Sequence, residues 1–137
     1  MVISSNALAY IDVVDRYLAL LAAGDTHGIV SLFSPQGTVH SPFLGERPAG
    51  EFFEVLQRAT RRSVIESPEV FVSGTGSRRA STAFTYRWEL ADGAQVSFDC
   101  VDLFDFDAQG RIETMTIVYD TAPIRASVGD KYRVAPS

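Results

Sequence analysis

Ala94 to Phe106, AQVSFDCVDLFDF, alternates apolar and polar residues. Successive residues of a strand point to opposite sides of a sheet, so Val96, Phe98, Cys100, Phe104 and Phe106 form one apolar stripe. Asp102 falls in the middle of that stripe. Removing an ionised carboxylate from water costs several kcal/mol, so Asp102 must pair with an arginine, cap a gap in the backbone, or keep its proton. A neutral carboxylic acid is a hydrogen-bond donor, which makes Asp102 a candidate functional residue as well as a structural one.

The flanking segments extend the same reading. Ser63–Ser73, Arg79–Ala91 and Arg111–Asp120 are rich in Val, Ile, Phe, Thr and Tyr. Gly74-Thr75-Gly76, Asp92-Gly93 and Asp107-Ala108-Gln109-Gly110 separate them as hairpin connectors. Further upstream the period changes. Leu8, Ile11, Val14, Leu18 and Leu21 recur at steps of three and four and predict a helix over Ser5–Ala23, stopped by Gly24. Asp25 can cap a second helix over Thr26–Phe33. Ser34-Pro35-Gln36-Gly37 reads as a turn and Thr38–Ser41 as a short strand halted by Pro42. Phe43–Gly50 reads as a loop and Glu51–Arg61 as a third helix. Three helices followed by long antiparallel strands predict an α+β fold, with the helices on the concave side of a curved sheet. Thr121–Ser137 has no period and reads as a tail.

Composition narrows the partners. The chain has 137 residues, which predicts one domain, and 46% apolar residues exclude disorder. Its net charge of −5 argues against nucleic acid or an anionic membrane, since both demand a basic face. No apolar run is long enough to span a bilayer, and Asp12, Asp15 and Arg16 interrupt any signal-peptide core. The single cysteine, Cys100, excludes an internal disulfide and fits a reducing, cytoplasmic setting.

Few other residues carry chemistry. Tyr17 lies between Val14 and Leu18 on the first helix, so its buried hydroxyl needs a partner. Tyr86 and Tyr119 occupy strand positions that can face the core. His27 sits in a helical first turn and reads as solvated. His40 precedes Ser41-Pro42-Phe43 and can titrate near neutrality. Two histidines thirteen residues apart match no metal-ligand spacing, and no cofactor motif is present. Ser41 lacks a nucleophile-elbow context, and Cys100 shows no sign of activation. Arg61-Arg62 and Arg78-Arg79 are isolated pairs that read as solvated faces.

RYLALLAAGD, IVSLFSPQGTVHSPFLG and FDCVDLFDFDAQGRIETM, within residues 7 to 120, resemble the ketosteroid isomerases of the wider NTF2-like/SnoaL-like superfamily. The resemblance implies a cone-shaped α+β fold, an apolar pocket, and a homodimer formed through the open sheet face. In that family a helix-borne tyrosine and a protonated aspartate donate to an enolate oxygen. Tyr17 and Asp102 fall on those two positions. Phe33, Tyr86, Met115, Ile117 and Tyr119 fall at or near pocket-lining positions, with Phe33 where a second supporting tyrosine would stand. Ser41 replaces the family's general base, an aspartate just before Pro-Phe, and loss of a base forfeits roughly 10²–10⁴-fold in rate. His40 or a water held by Ser41 would have to move the proton.

The implied activity is therefore isomerisation, dehydration or cyclisation of a carbonyl-containing ring compound, with classical steroid isomerisation weak or absent. The alternative is a non-catalytic domain that binds a hydrophobic carbonyl or phenolic ligand, or a protein partner. Epoxide hydrolysis would need an Asp-Arg-Asp group from Asp99, Arg87 and Asp102, and parity puts Asp99 opposite Asp102.

Overall fold

The computed structural model of the chain describes residues 5–122; of the expected tail, residues 123–137 lie outside the described residues. Helix α1 spans Ser5–Ala23. Its buried face is Tyr10, Val14, Tyr17, Leu18 and Leu21, whereas Leu8, expected on that face, is 56% exposed. The two tyrosines set the stripe, and they pull it away from Leu8. Gly24 closes the helix at φ 71°, its N–H donating to the Leu21 carbonyl while Asp25 N–H takes that of Leu20. The Asp25 carboxylate then accepts from Gly28 N–H at 2.9 Å, capping α2, Thr26–Ser31.

Here the structure departs from expectation. Helix α2 ends two residues before Phe33, which instead opens strand β1, Phe33–Ser41. The Ser34–Gly37 segment, read as a turn, is an irregular stretch of that strand: the pairing of β1 with β6 shifts register between Phe33 and Thr38. A glycine at 37 is needed there, because a Cβ would lie 2.9 Å from the Phe33 ring and 3.0 Å from the Ile112 carbonyl. Proline 42 lies beyond the strand's end, as its missing N–H requires. The stretch read as a loop contains a second strand, β2, Gly45–Pro48, which forms a hairpin with β1 and pairs His40 with Glu46. Ser41 Oγ accepts from Leu44 N–H at 3.2 Å and closes that hairpin.

Helix α3 runs Ala49–Ala59, earlier at both ends than expected, and buries Phe52 and Phe53. Strands β3 (Thr60–Val72), β4 (Arg79–Leu90), β5 (Gln95–Phe106) and β6 (Ile112–Val118) follow. The sheet order is β2-β1-β6-β5-β4-β3. Every neighbouring pair is antiparallel except β1 with β6. Two strands therefore precede α3, and the sheet is mainly antiparallel, as expected. An extra β3 residue between Glu66 and Glu69, with Ser67 at φ 52°, makes a bulge, which bends a strand and helps curl the sheet.

Helix α1 lies across β3 and β4 and closes the concave side. Tyr10 stacks on Phe106 with ring centroids 4.3 Å apart, and Tyr17 meets Phe104 edge-on at 5.2 Å. Phe104, Ile112, Met115 and Val39 are completely buried beneath them. No helix among the described residues is long and apolar enough to cross a membrane.

Candidate active site

The stripe on β5 is as its period predicts: Cys100, Asp102, Phe104 and Phe106 all face inward. Asp102 is 2% exposed, and so is Tyr17 on α1 directly facing it. The Tyr17 hydroxyl donates a hydrogen bond to the Asp102 carboxylate. Across the sheet Asp102 is flanked by Thr82 and Ile117. Thr82 is no donor to Asp102, because its hydroxyl is committed to the Glu69 carbonyl at 2.8 Å. The ion pairs among the described residues do not include Asp102. Among the described residues, one phenol and no arginine thus meets this carboxyl group.

Electrostatics follow from that isolation. Burial pushes Asp102 from an ordinary 3.8 up to about 7, with the Tyr17 bond pulling it partly back. Tyr17 is driven well above the usual phenol range, first by burial and then by the charge of Asp102, so it stays protonated as a donor. Burial likewise holds the Cys100 thiol, Tyr86 and Tyr119 in their neutral forms. Among the groups lining this cavity, Asp102 is the one poised to gain or lose a proton near neutrality.

The cavity beside this pair is about 50 Å³. Its walls include Ser41, Tyr86, Cys100, Ile117 and Tyr119 with the rings of Phe52, Phe84, Trp88 and Phe98. Tyr119 stacks on Phe98 at 4.5 Å. Tyr86 turns its hydroxyl outward to Ser63 Oγ, 2.7 Å away.

The structure brings Tyr17, Asp102, Ser41, Tyr86, Ile117 and Tyr119 to one cavity and leaves three candidates outside its lining. His40 is on the opposite face of β1 from Ser41, its Nε2 3.8 Å from Glu46 and its side chain 41% exposed. The turn at Ser41-Pro42 does not rotate it inward. Phe33 packs against Phe53 at 5.8 Å, and Met115 is completely buried in the core. His27 is exposed as expected. Reading the residues missed the Phe84 and Trp88 walls, which the period-two pattern of β4 around Tyr86 carries, and Ser63, for which no sequence signal exists. Asp99 is exposed and accepts from Thr85 Oγ1 at 2.6 Å, while Arg87 lies 3.7 Å from Glu66. No Asp-Arg-Asp group assembles from Asp99, Arg87 and Asp102.

The sequence model of the SnoaL-like domain family matches residues 14–115. Among solved structures, the chain is similar to a proposed polyketide cyclase of Xanthomonas campestris pv. campestris, with TM-score 0.78, 18% identity, and coverage of 90% of this chain and 99% of that one. A proposed polyketide cyclase of Pseudomonas putida KT2440 gives TM-score 0.71 and 19% identity over 81% of this chain and 91% of that one. SalBIII, an epoxide hydrolase/cyclase-like enzyme with a role in pyran ring formation in the polyether salinomycin, gives 0.66 and 18% over 81% and 90%. At these identities the likeness shows the fold: an NTF2-like cone of helices on a curved, mostly antiparallel sheet.

Proposed function

The chain belongs to the SnoaL-like domain family, and from that premise we propose that it is a small-molecule enzyme in which Asp102 and Tyr17 move a proton and hold an enolate-type oxyanion on a carbonyl-containing ring compound. The observation that carries this reading is the buried Tyr17–Asp102 hydrogen bond, with no ion pair to Asp102 among the described residues. Ser41 has no basicity near neutrality, and its oxygen already accepts from Leu44 N–H. His40 faces Glu46 outside the cavity. The proton acceptor is therefore Asp102 itself. In its ionised form it accepts the Tyr17 hydroxyl. On taking a proton from the carbon next to a carbonyl, Asp102 becomes neutral and loses its hold on that hydroxyl. Tyr17 is then free to donate to the oxygen on which the negative charge has just formed, where a preorganised donor is most effective. Return of the proton to a different carbon gives isomerisation; attack by the enolate on a second carbonyl, whose new alkoxide takes the proton back from Asp102, gives cyclisation. Two of the similar structures are proposed polyketide cyclases, which supports the ring-closing form of this reading.

A second reading draws on the size of the cavity. About 50 Å³ holds one or two waters at roughly 30 Å³ each, well below the roughly 300–1,000 Å³ of ligand pockets. A cone that stays closed would make the chain a non-catalytic binding or partner domain. A titration with 4-nitrophenol, whose ionised form alone is yellow, separates the two. The enzyme reading expects the bound phenol to pass its proton to Asp102 and turn yellow in wild type, and to bind colourless in Asp102→Asn. Equal colour in both proteins, or no binding to either, would favour the second reading.

The outer face of the sheet supports a homodimer. Phe71, Val101, Leu103 and Val118 are 50%, 37%, 38% and 49% exposed on neighbouring strands, and the pairings Val101–Val118 and Ser81 with both Phe71 and Leu103 make them one patch. An apolar patch of this kind is a surface for a second copy.

A further inference from the structure

Beside the small inner cavity lies a larger cleft of about 400 Å³, between the C-terminal ends of α1 and α3 and the start of β3. The two share Leu21, Leu56 and Tyr86 as a common wall. Tyr86 stands in that wall with its hydroxyl on the cleft side, 2.7 Å from Ser63 Oγ.

The cleft has a definite charge. Arg61 and Arg62 both line it, although consecutive strand residues normally point to opposite faces. The reason is an extra β3 residue: Thr60 pairs with Leu90 and Arg62 with Glu89, so Arg61 is a bulge that re-aims its neighbour. Among the described residues no aspartate or glutamate lines the cleft, in a chain whose net charge is −5. Neither guanidinium takes part in an ion pair or hydrogen bond among the described residues. They are not caps for the helix ends either. The Leu20 and Leu21 carbonyls of α1 are taken by Asp25 and Gly24 N–H, and the Ala59 carbonyl at the end of α3 by Ala91 N–H. Thr60 supplies both its hydroxyl, to Leu56 O at 2.6 Å, and its N–H, to Gln57 O. Two arginines on one cleft wall, with no partner among the described residues, are a site for an external anion.

We propose that this cleft is the second half of the substrate site and takes a carboxylate, so that the substrate is a ring carbonyl compound with an acidic arm. The proposal rests on the reading that the reacting ring lies against Asp102. Gln57 and Ser63 add polar groups beside the arginines, and Tyr86 divides ring from arm.

The test compares binding of 6-hydroxy-2-naphthoate with that of its uncharged methyl ester, by fluorescence at low salt. Wild type should prefer the carboxylate by about tenfold, as expected for charge-assisted contacts at a partly exposed site. The preference should shrink with added salt. Arg61→Gln/Arg62→Gln, which alters two exposed residues, should abolish the preference and leave the ester's affinity unchanged. Asp102→Asn should retain the preference, so a failure of the catalytic reading appears in the nitrophenol titration and not here. Equal binding of acid and ester by wild type, a preference that survives the double substitution, or no binding of either compound would overturn the proposal.

Discussion

Replacing Asp102 by asparagine perturbs one proton and little else, because the amide keeps the shape of the side chain and an oxygen to accept the Tyr17 hydroxyl. Asp102 ionises near 3.8 in the unfolded chain and near 7 in the folded one. Below about pH 4 both states hold the proton and the group contributes nothing to pH dependence. Between those limits the unfolded chain gives up the proton while the folded protein keeps it, so wild-type stability falls as pH rises. Above about 7 both are ionised and the full cost of the buried charge is present. The window is about 3 pH units, and at about 1.4 kcal/mol each the total is about 4 kcal/mol. The side chain is 2% exposed, so solvent screening does little to reduce it. Urea unfolding of both proteins across this range isolates the effect, since every other carboxylate cancels in the difference. The asparagine variant should gain about 4 kcal/mol relative to wild type on going from about pH 4 to about pH 8. A difference that stays constant with pH would show that Asp102 ionises like an exposed carboxylate, and would remove the basis for its role.

Three further outcomes follow from packing. Phe104→Ala, at a position with no exposure and in contact with the Tyr17 ring, should cost about 3–5 kcal/mol in urea unfolding and should loosen the site with the core. Gly37→Ala forces a Cβ to within 2.9 Å of Phe33 and 3.0 Å of the Ile112 carbonyl, so it should destabilise by about 1–3 kcal/mol, read as a lower melting temperature. Leu103→Glu puts a charge into the exposed patch on the outer sheet face, and sedimentation should show a dimer for wild type and a monomer for the variant.

What could be read from the residues, and what could not, divides along physical lines. Asp102 announced itself because a period of two is a strong constraint and an acid violates it visibly. The long strands β3 to β6 are legible for the same reason. Thr38–Ser41 is legible as a strand, but its first half is masked by Pro35 and Gly37, which signal a turn, yet here occupy an irregular stretch whose tight approach to Ile112 only the folded chain creates. Strand β2, Gly-Glu-Arg-Pro, carries no β-forming residues and exists because it pairs with β1. Parity alone separates His40 from Ser41, and the structure follows it. Arg61 and Arg62 read as a solvated pair because a bulge, set by pairing with a strand nearly thirty residues away, leaves no local mark. That no arginine among the described residues pairs with Asp102 likewise depends on which distant side chains meet it, which no local pattern encodes.

The central claim is that Asp102 transfers a proton to and from carbon while Tyr17 steadies the oxygen. Incorporation of solvent deuterium next to the carbonyl of an enolisable ring ketone, 2-tetralone, followed by NMR, tests it without knowledge of the natural substrate. Wild type should accelerate the exchange, with a rate that rises through about pH 7 as Asp102 ionises. Asp102→Asn should lose about 10²–10⁴-fold of that acceleration. Exchange that proceeds equally well in the variant, or that falls over the same pH range, would contradict the account.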